Sequence, residues 1–125
     1  MQAAAAHYQV AIIGAGFGGL AMGIRLLQRN IHNFLILEKS NEVGGTWRET
    51  QYPGAACDVQ SHLYSLSFAP KTDWSKRYAD APEIFQYIQD VVQQFNLREY
   101  CQFNSEVVHT EYHEKECLWH VTLKD

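Results

Sequence analysis

The first forty residues contain two short apolar runs separated by a segment with helical periodicity. The runs cover 8–13 and 34–37, and short continuous apolar runs are typical of buried parallel strands. Between them, apolar side chains form one broad face of 17–30, and Asn30 is the predicted helix stop. A strand, a helix and a strand within about thirty residues have the size of one βαβ unit. The pattern therefore predicts an α/β fold with a βαβ unit over 8–38.

Residues 39–81 have no sustained hydrophobic period and are rich in Gly, Pro, Ser and aromatic residues. A loop of this length inside a compact domain is usually functional or disordered. Its aromatic content argues against disorder. We therefore predict an ordered segment that covers a ligand, with a helical turn near 62–66. Its aromatic residues are Trp47, Tyr52, Tyr64, Phe68, Trp74 and Tyr78.

The remaining pattern predicts one more helix and a β-rich tail over 100–124. Pro82 suits the first turn of a helix, and apolar residues recur at helical spacing over 82–95. The tail has a short strand signal and two β-rich runs joined by a polar turn, which is typical of a hairpin. These three predicted strands cover 101–103, 106–112 and 118–123.

The predicted strands are too few for a complete doubly wound sheet. A doubly wound parallel sheet needs more strands than these, and an isolated hairpin is marginally stable. We therefore expect the sequence to be the front part of a longer protein. Uncovered strand edges would favour self-association.

Three glycines follow the first apolar run directly. Gly14, Gly16 and Gly19 fit the G-x-G-x-x-G spacing between a strand and a helix. In that arrangement the first glycine permits the turn, the second lets a pyrophosphate approach the backbone, and the third lets the helix pack on the strand. The helix N-terminus also favours an anion. The motif predicts a seat for the pyrophosphate of an adenine dinucleotide.

A carboxylate stands at the end of the second strand. Glu38 lies nineteen residues beyond Gly19, where an acidic side chain accepts hydrogen bonds from the ribose hydroxyls of an adenosine. It would repel a 2′-phosphate, so we expect this site to reject NADP. The alternative is a solvated glutamate at a strand end.

A second glycine turn follows within the long loop. Residues 44–47 read Gly-Gly-Thr-Trp. Backbone N–H groups around Gly45 and the hydroxyl of Thr46 are candidates for further pyrophosphate contacts, beside Trp47. The alternative is a plain surface turn.

Two further candidates lie later in the loop. Asp58 is a lone carboxylate among apolar and aromatic residues, a setting that can perturb a pKa. Its alternative role is to cap or brace the loop. Tyr64 is a candidate for stacking or hydrogen bonding, with ordinary packing as the alternative.

The charge balance argues against some partners. The chain has 10 basic and 14 acidic residues, a net charge of −4, and no basic block. Nucleic acid or an anionic membrane is therefore not expected as the main partner. The longest apolar runs are also far too short to span a bilayer.

Cysteine and histidine positions add two expectations. Cys57, Cys101 and Cys117 are an odd number without C-x-x-C spacing, which predicts reduced thiols in a cytoplasmic protein. His109 and His113 share a predicted strand face, but no cysteine or carboxylate clusters with them in the sequence. We therefore predict no metal site.

Taken together, these motifs closely resemble the N-terminal segment of Baeyer–Villiger monooxygenases, which are class B flavoprotein monooxygenases. The resemblance covers nearly the whole chain. The run Gly-Gly-Thr-Trp followed by Tyr-Pro-Gly-Ala-Ala-Cys-Asp is its most specific part. The matching stretches are 14–19, 38–39, 43–47, 52–59, 61–65, 74–75, 82–84 and 119–121.

The resemblance implies a cofactor, a reaction and a set of site residues. The family binds FAD and uses NADPH and O2 to insert oxygen next to a ketone carbonyl, which gives an ester or a lactone. The implied fold is a Rossmann-like FAD-binding domain, present here in part, with a C-terminal β-hairpin. By this resemblance, Gly14, Gly16 and Gly19 bind the pyrophosphate and Glu38 binds the ribose. Asp58 orients a catalytic arginine beside the flavin, and Val107 contacts the adenine through its backbone. The residues that line the cofactor are Gly45, Thr46, Trp47 and Tyr64.

The chain also departs from the family pattern. It lacks the second glycine fingerprint for NADPH, the F-x-G-x-x-x-H-x-x-x-W signature and the catalytic arginine. We therefore expect these 125 residues to be catalytically inactive alone. Two other hypotheses remain: a non-catalytic truncated fragment that binds a nucleotide, and the NAD-binding domain of a dehydrogenase. The second accounts for 14–38 but not for 44–58.

Overall fold

A small parallel sheet organises the fold in the computed structural model, which describes residues 5–125. Its strands are β1 (Val10–Ile13), β2 (Phe34–Leu37) and β3 (Cys101–Gln102), in the order β1-β2-β3. Val10 lies opposite Phe34 in the parallel register. Because β2 is central, three of its four side chains are buried, as expected for a parallel strand covered on both faces.

Helix α1 (Phe17–Gln28) makes the crossover from β1 to β2 and buries one face on the sheet. Gly23 lies on that face, and a Cβ there would come within 3.1 Å of the Ile36 side chain. The helix therefore approaches the sheet more closely than a larger residue would allow. The helix ends as Asn30 adopts a left-handed conformation with φ of 57°, which asparagine tolerates well.

Helix α3 (Ala81–Gln94) supplies much of the core. Pro82 lies in its first turn, where a missing N–H has no cost. Its apolar face joins the buried side chains of α1 and β2 in one cluster. The buried residues of α3 are Ala81, Ile84, Tyr87, Ile88, Val91 and Val92.

The long segment between β2 and α3 is ordered by contacts with α3. It contains a four-residue helix, α2 (Thr46–Glu49), and a 3-10 turn at Ser61–Leu63. The hydroxyl of Tyr87 donates to the carbonyl of Ala69 over 2.7 Å and accepts from the N–H of Leu66 over 2.9 Å. One α3 side chain therefore anchors two points of the segment. Burial raises the pKa of Tyr87 and the Leu66 hydrogen bond opposes that rise.

The tail forms a separate two-stranded antiparallel sheet of β4 (Val107–His113) and β5 (Leu118–Leu123). The register is irregular between Val107 and His109. No residue of either strand is buried. Its cohesion therefore depends on the ladder of backbone hydrogen bonds and on cross-strand pairs.

The structure confirms the predicted α/β class, the parallel sheet and the C-terminal hairpin. The structure begins the first strand two residues later than predicted and gives the predicted helix 17–30 as Phe17–Gln28. It gives the predicted helix 82–95 as Ala81–Gln94 and the predicted turn at 62–66 as Ser61–Leu63. Helix α2 and a 3-10 turn at Leu97–Tyr100 were not predicted. Within 5–125, no helix is both long and apolar enough to cross a membrane.

Candidate functional site

The turn after β1 depends on two glycines for different reasons. Gly14 has a φ of +95°, which disfavours any side chain. At Gly19, a Cβ would lie 1.8 Å from the carbonyl oxygen of Gly14. The start of α1 therefore sits directly against the turn, and only glycine fits there.

Gly16 leaves a bare stretch of backbone between them. A Cβ at Gly16 would meet only the Cα of Gly45, at 3.7 Å. The rest of its surroundings is open, so the space over this residue is free for a ligand. This is the property that a pyrophosphate seat requires.

The second glycine turn is joined to the first. The N–H of Gly44 donates to the carbonyl of Ala15 over 2.9 Å. A Cβ at Gly45, where φ is +53°, would lie 3.0 Å from the Cα of Gly16. The backbones of the two turns are therefore in contact. Thr46 follows at the exposed start of α2.

Glu38 points into the first glycine turn. The residue is 5% exposed, and its Oε2 accepts a hydrogen bond of 2.8 Å from the N–H of Ala15. Its Oε1 accepts from the N–H and the hydroxyl of Ser40 over 2.9 and 2.8 Å. The carboxylate is therefore held at the turn that the glycines form.

These contacts determine the charge state of Glu38. Burial raises its pKa, but the hydrogen bonds from Ala15 and Ser40 and the charge of Lys39 lower it, and the net pKa is below its ordinary value. Glu38 is therefore a carboxylate at neutral pH.

Three aromatic side chains connect the long segment to the start of α1. The indole N–H of Trp47 donates to the hydroxyl of Tyr64 over 3.0 Å. The Tyr64 ring packs edge-on against Trp47 at 5.7 Å and against Phe17 at 5.5 Å between centroids. The predicted residues Trp47 and Tyr64 therefore lie together, next to the glycine turns.

Val107 and Asp58 have different surroundings. The N–H of Ser105 donates to the carbonyl of Glu38 over 2.8 Å, so the segment that leads to Val107 runs beside the end of β2. Asp58 is exposed. It follows Cys57, whose N–H donates to the carbonyl of Ala79. No described contact joins Asp58 to the glycine turns.

Sequence reasoning missed Ser40 as a site residue. Its hydroxyl lies 2.8 Å from both Glu38 Oε1 and the carbonyl of Glu42. The signal available was a serine two residues after the acidic residue at a strand end. Such a short hydroxyl readily bonds a neighbouring polar group.

A surface cavity of about 810 Å³ lies elsewhere, between α2, the loop after it and the start of α3. Trp47 lines it, but the first glycine turn and Glu38 do not. The candidate cofactor site is instead an open cradle of backbone, Glu38 and aromatic edges.

Residues 12–91 match the family model of the NAD(P)-binding Rossmann-like domain. A Baeyer-Villiger monooxygenase of Pseudomonas aeruginosa is 48% identical over 119 residues, which are 95% of this chain and 23% of that protein. An FAD-binding monooxygenase of Aspergillus niger is 45% identical over 115 residues, 91% of this chain and 19% of that protein.

Solved structures give the same result. The crystal structure of OTEMO in complex with FAD and NADP superimposes with a TM-score of 0.87 at 31% identity, and the match covers 93% of this chain and 22% of OTEMO. The chain thus spans about a fifth to a quarter of the length of the relatives it matches.

Proposed function

The chain belongs to the family of NAD(P)-binding Rossmann-like domains, and we propose that it is the FAD-binding N-terminal part of a flavin-dependent Baeyer–Villiger-type monooxygenase. The contact between the two glycine turns, with the Glu38 carboxylate directed at the first of them, carries this proposal. The similarity to named Baeyer-Villiger monooxygenases over 95% of the chain supports it.

In this proposal the first glycine turn binds the pyrophosphate of FAD. The open space over Gly16 admits the phosphates, and the adjacent start of α1 presents backbone N–H groups to them. Gly45 bounds the cradle from the other side, with Thr46 and Trp47 next to it. Tyr64 holds Trp47 through its hydroxyl.

Glu38 would bind the adenosine ribose, and the Ser40 hydroxyl can leave one carboxylate oxygen of Glu38 able to accept a further hydrogen bond. A hydroxyl donates only one hydrogen bond, yet the Ser40 hydroxyl has two acceptors at 2.8 Å, Glu38 and the Glu42 carbonyl. Rotation of the hydroxyl toward Glu42 frees an acceptor position on Glu38. A ribose hydroxyl can then donate to the carboxylate without breaking its bond to Ala15.

Val107 and Asp58 have proposed roles at the ends of the same cofactor. The hydrogen bond from the Ser105 N–H to the main-chain carbonyl of Glu38 holds the chain before Val107 beside the end of β2, which supports a backbone contact with adenine. The exposed carboxylate of Asp58 is free to orient an arginine near the flavin in an enzyme of the relatives' length.

The activity of such an enzyme would be the oxygenation of a ketone to an ester or lactone with NADPH and O2. Bound FAD would supply the redox chemistry. The residues of this chain bind and orient it, and the sequence carries no second glycine fingerprint for NADPH. We therefore propose that the 125 residues bind FAD but do not turn over alone.

The test is a titration of the purified chain with FAD by isothermal calorimetry. Gly16→Val would place a branched side chain in the pyrophosphate seat, so we expect binding to be lost while the fold persists. Gly18→Val is the matched control, because nothing lies within 4 Å of a Cβ at that exposed position. Failure of the chain to bind FAD, or equal affinity of the two variants, would contradict the proposal.

A second candidate is the NAD-binding domain of a dehydrogenase, because the description of the family model names NAD(P) and a ribose-binding carboxylate suits NAD as well. Competition separates the candidates. We expect FAD to displace NAD, and NADP to compete poorly because Glu38 repels its 2′-phosphate. Tighter binding of NAD than of FAD would favour the dehydrogenase.

Two finer proposals concern the state of the chain. The three cysteines are free, which supports a reducing, cytoplasmic location. The edge strand β1 ends in Ile13, which is 61% exposed, so we propose that the isolated chain self-associates through this edge. Light scattering over a concentration series measures the association.

A further inference from the structure

The β4–β5 hairpin gathers metal-binding side chains on one of its faces. In its register, His113 lies opposite Leu118 and Glu111 lies opposite His120. Side chains two residues apart on a strand share a face, so both histidines project from the same side. We propose that His113, Glu116 and His120 form a binding site for a divalent transition-metal ion of the Zn²⁺ class.

The distances bring three different donor groups together. The two imidazole rings stack with centroids 3.7 Å apart. Glu116 Oε2 lies 2.7 Å from His120 Nε2 and 3.9 Å from His113 Nδ1. One ligand atom from each residue lies within 4.8 Å of the others.

These separations are near those that a metal ion requires. At bond lengths of about 2.0–2.1 Å, a tetrahedral ion holds its ligand atoms about 3.4 Å apart. The three side chains are 38–53% exposed, so small side-chain rotations can reach this spacing. The exposure also leaves a path for the ion to enter.

The chemistry of the donors selects the ion. Two imidazole nitrogens and one carboxylate oxygen suit Zn²⁺ and its neighbours, whereas Mg²⁺ and Ca²⁺ prefer oxygen ligands alone. Glu111 is available as a further ligand or as a partner for the imidazole, because its Oε2 lies 3.3 Å from His113 Nε2. Water would complete the coordination.

The proposed site is independent of the proposed cofactor. The hairpin is a separate sheet. Of the residues assigned to FAD it contains only Val107, which lies at the opposite end of β4 from His113. Sequence reasoning predicted no metal site because it considered His109 with His113 and found no cysteine or carboxylate ligands clustered with them. The actual partner is His120, which only the hairpin register brings across, and Glu116, which the turn contributes.

The test is calorimetric titration of the untagged chain with Zn²⁺ in a non-chelating buffer. We expect saturable binding of one ion per chain, and no binding of Mg²⁺ at the same concentrations. His113→Ala and His120→Ala should each weaken Zn²⁺ binding at least about tenfold. Glu116→Gln preserves the shape of an exposed turn residue and should also weaken binding.

Matched controls come from the same hairpin. His109→Ala removes an exposed histidine outside the cluster, and Cys117→Ser removes the neighbouring thiol; both should leave Zn²⁺ affinity unchanged. Far-UV circular dichroism verifies that each variant keeps the hairpin. Absence of saturable Zn²⁺ binding, or equal affinity of the His113→Ala and His109→Ala variants, would overturn the proposal and leave the cluster as histidine–carboxylate pairs.

Discussion

The parallel-sheet region and the C-terminal hairpin are built on opposite principles. The sheet region buries its side chains in one cluster around α1, β2 and α3. The hairpin buries none of its strand residues, and its Tyr112–Trp119 pair packs at 5.4 Å while the two residues remain 46% and 65% exposed. Apolar burial therefore stabilises the first region, and backbone pairing stabilises the second.

This difference separates two kinds of sensitivity. In the sheet region, single atoms decide whether the backbone can close, as at Gly19. In the hairpin, side chains are free to change without disturbing a core. We therefore expect substitutions of buried residues in the sheet region to cost more stability than substitutions of exposed residues in the hairpin.

The largest effect is expected from Gly19→Val. A Cβ there would overlap the carbonyl oxygen of Gly14 at 1.8 Å, and neither backbone can move without separating α1 from β1. We expect a loss of at least about 3 kcal/mol in the free energy of unfolding, measured by urea denaturation. Gly18→Val, in open space on α1, should cause no measurable loss, because valine has a higher helix propensity than glycine. Similar losses in the two variants would contradict the packing role of Gly19.

Truncation of a core side chain should reduce the free energy of unfolding more than truncation of any hairpin side chain. Ile88 is 1% exposed at the centre of the cluster, so Ile88→Ala should cost about 2–5 kcal/mol. Trp119→Ala, on the hairpin, should cost about 1 kcal/mol or less. Urea denaturation of both variants, followed by circular dichroism, measures the difference. Comparable costs would mean that the hairpin is integral to the core.

The Glu38 carboxylate should make the sheet region sensitive to acid. Its folded pKa lies below the ordinary value, so its contribution is present above pH 4.5 and is lost as the pH falls through the folded pKa. Glu38→Gln should cost about 1–3 kcal/mol at neutral pH. The difference from the natural sequence should shrink in acid. A difference that stays constant from pH 7 to pH 3 would contradict this assignment.

Thiol reactivity gives the smallest and most local contrast. Burial raises the pKa of Cys101 to about 11, and the charge of Arg98 opposes that rise. Cys117 lies exposed in the hairpin turn. A chromogenic disulfide reagent at pH 8 should therefore modify Cys117 first and Cys101 much more slowly. Cys117→Ser should remove the fast phase, and its persistence in that variant would contradict the assignment.

The sequence predicted well what local spacing determines. The glycines at 14, 16 and 19 and the acidic residue at 38 stand at distances fixed by one strand, one helix and one strand. Their predicted proximity follows from that unit alone, and the structure holds Glu38 against Ala15 accordingly. The helix predicted to end at Asn30 ends at Gln28 instead, because the left-handed conformation of Asn30 stops the helix before the apolar periodicity ends.

Contacts between distant segments were not predictable in the same way. The anchoring of the long segment by Tyr87 and the contact of Gly45 with Gly16 depend on tertiary packing. The His113–His120 pair depends on hairpin register, because a shift by one residue would move one ring to the opposite face. Sequence periodicity does not encode these relations.

The contact between Gly16 and Gly45 has a consequence for the spacing of the two turns. Neither residue has a rotatable side chain, so the spacing of the two turns is set by peptide geometry and by the Gly44–Ala15 hydrogen bond. An anionic ligand that binds over Gly16 would therefore meet backbone whose position depends on no side-chain rotamer of these two residues.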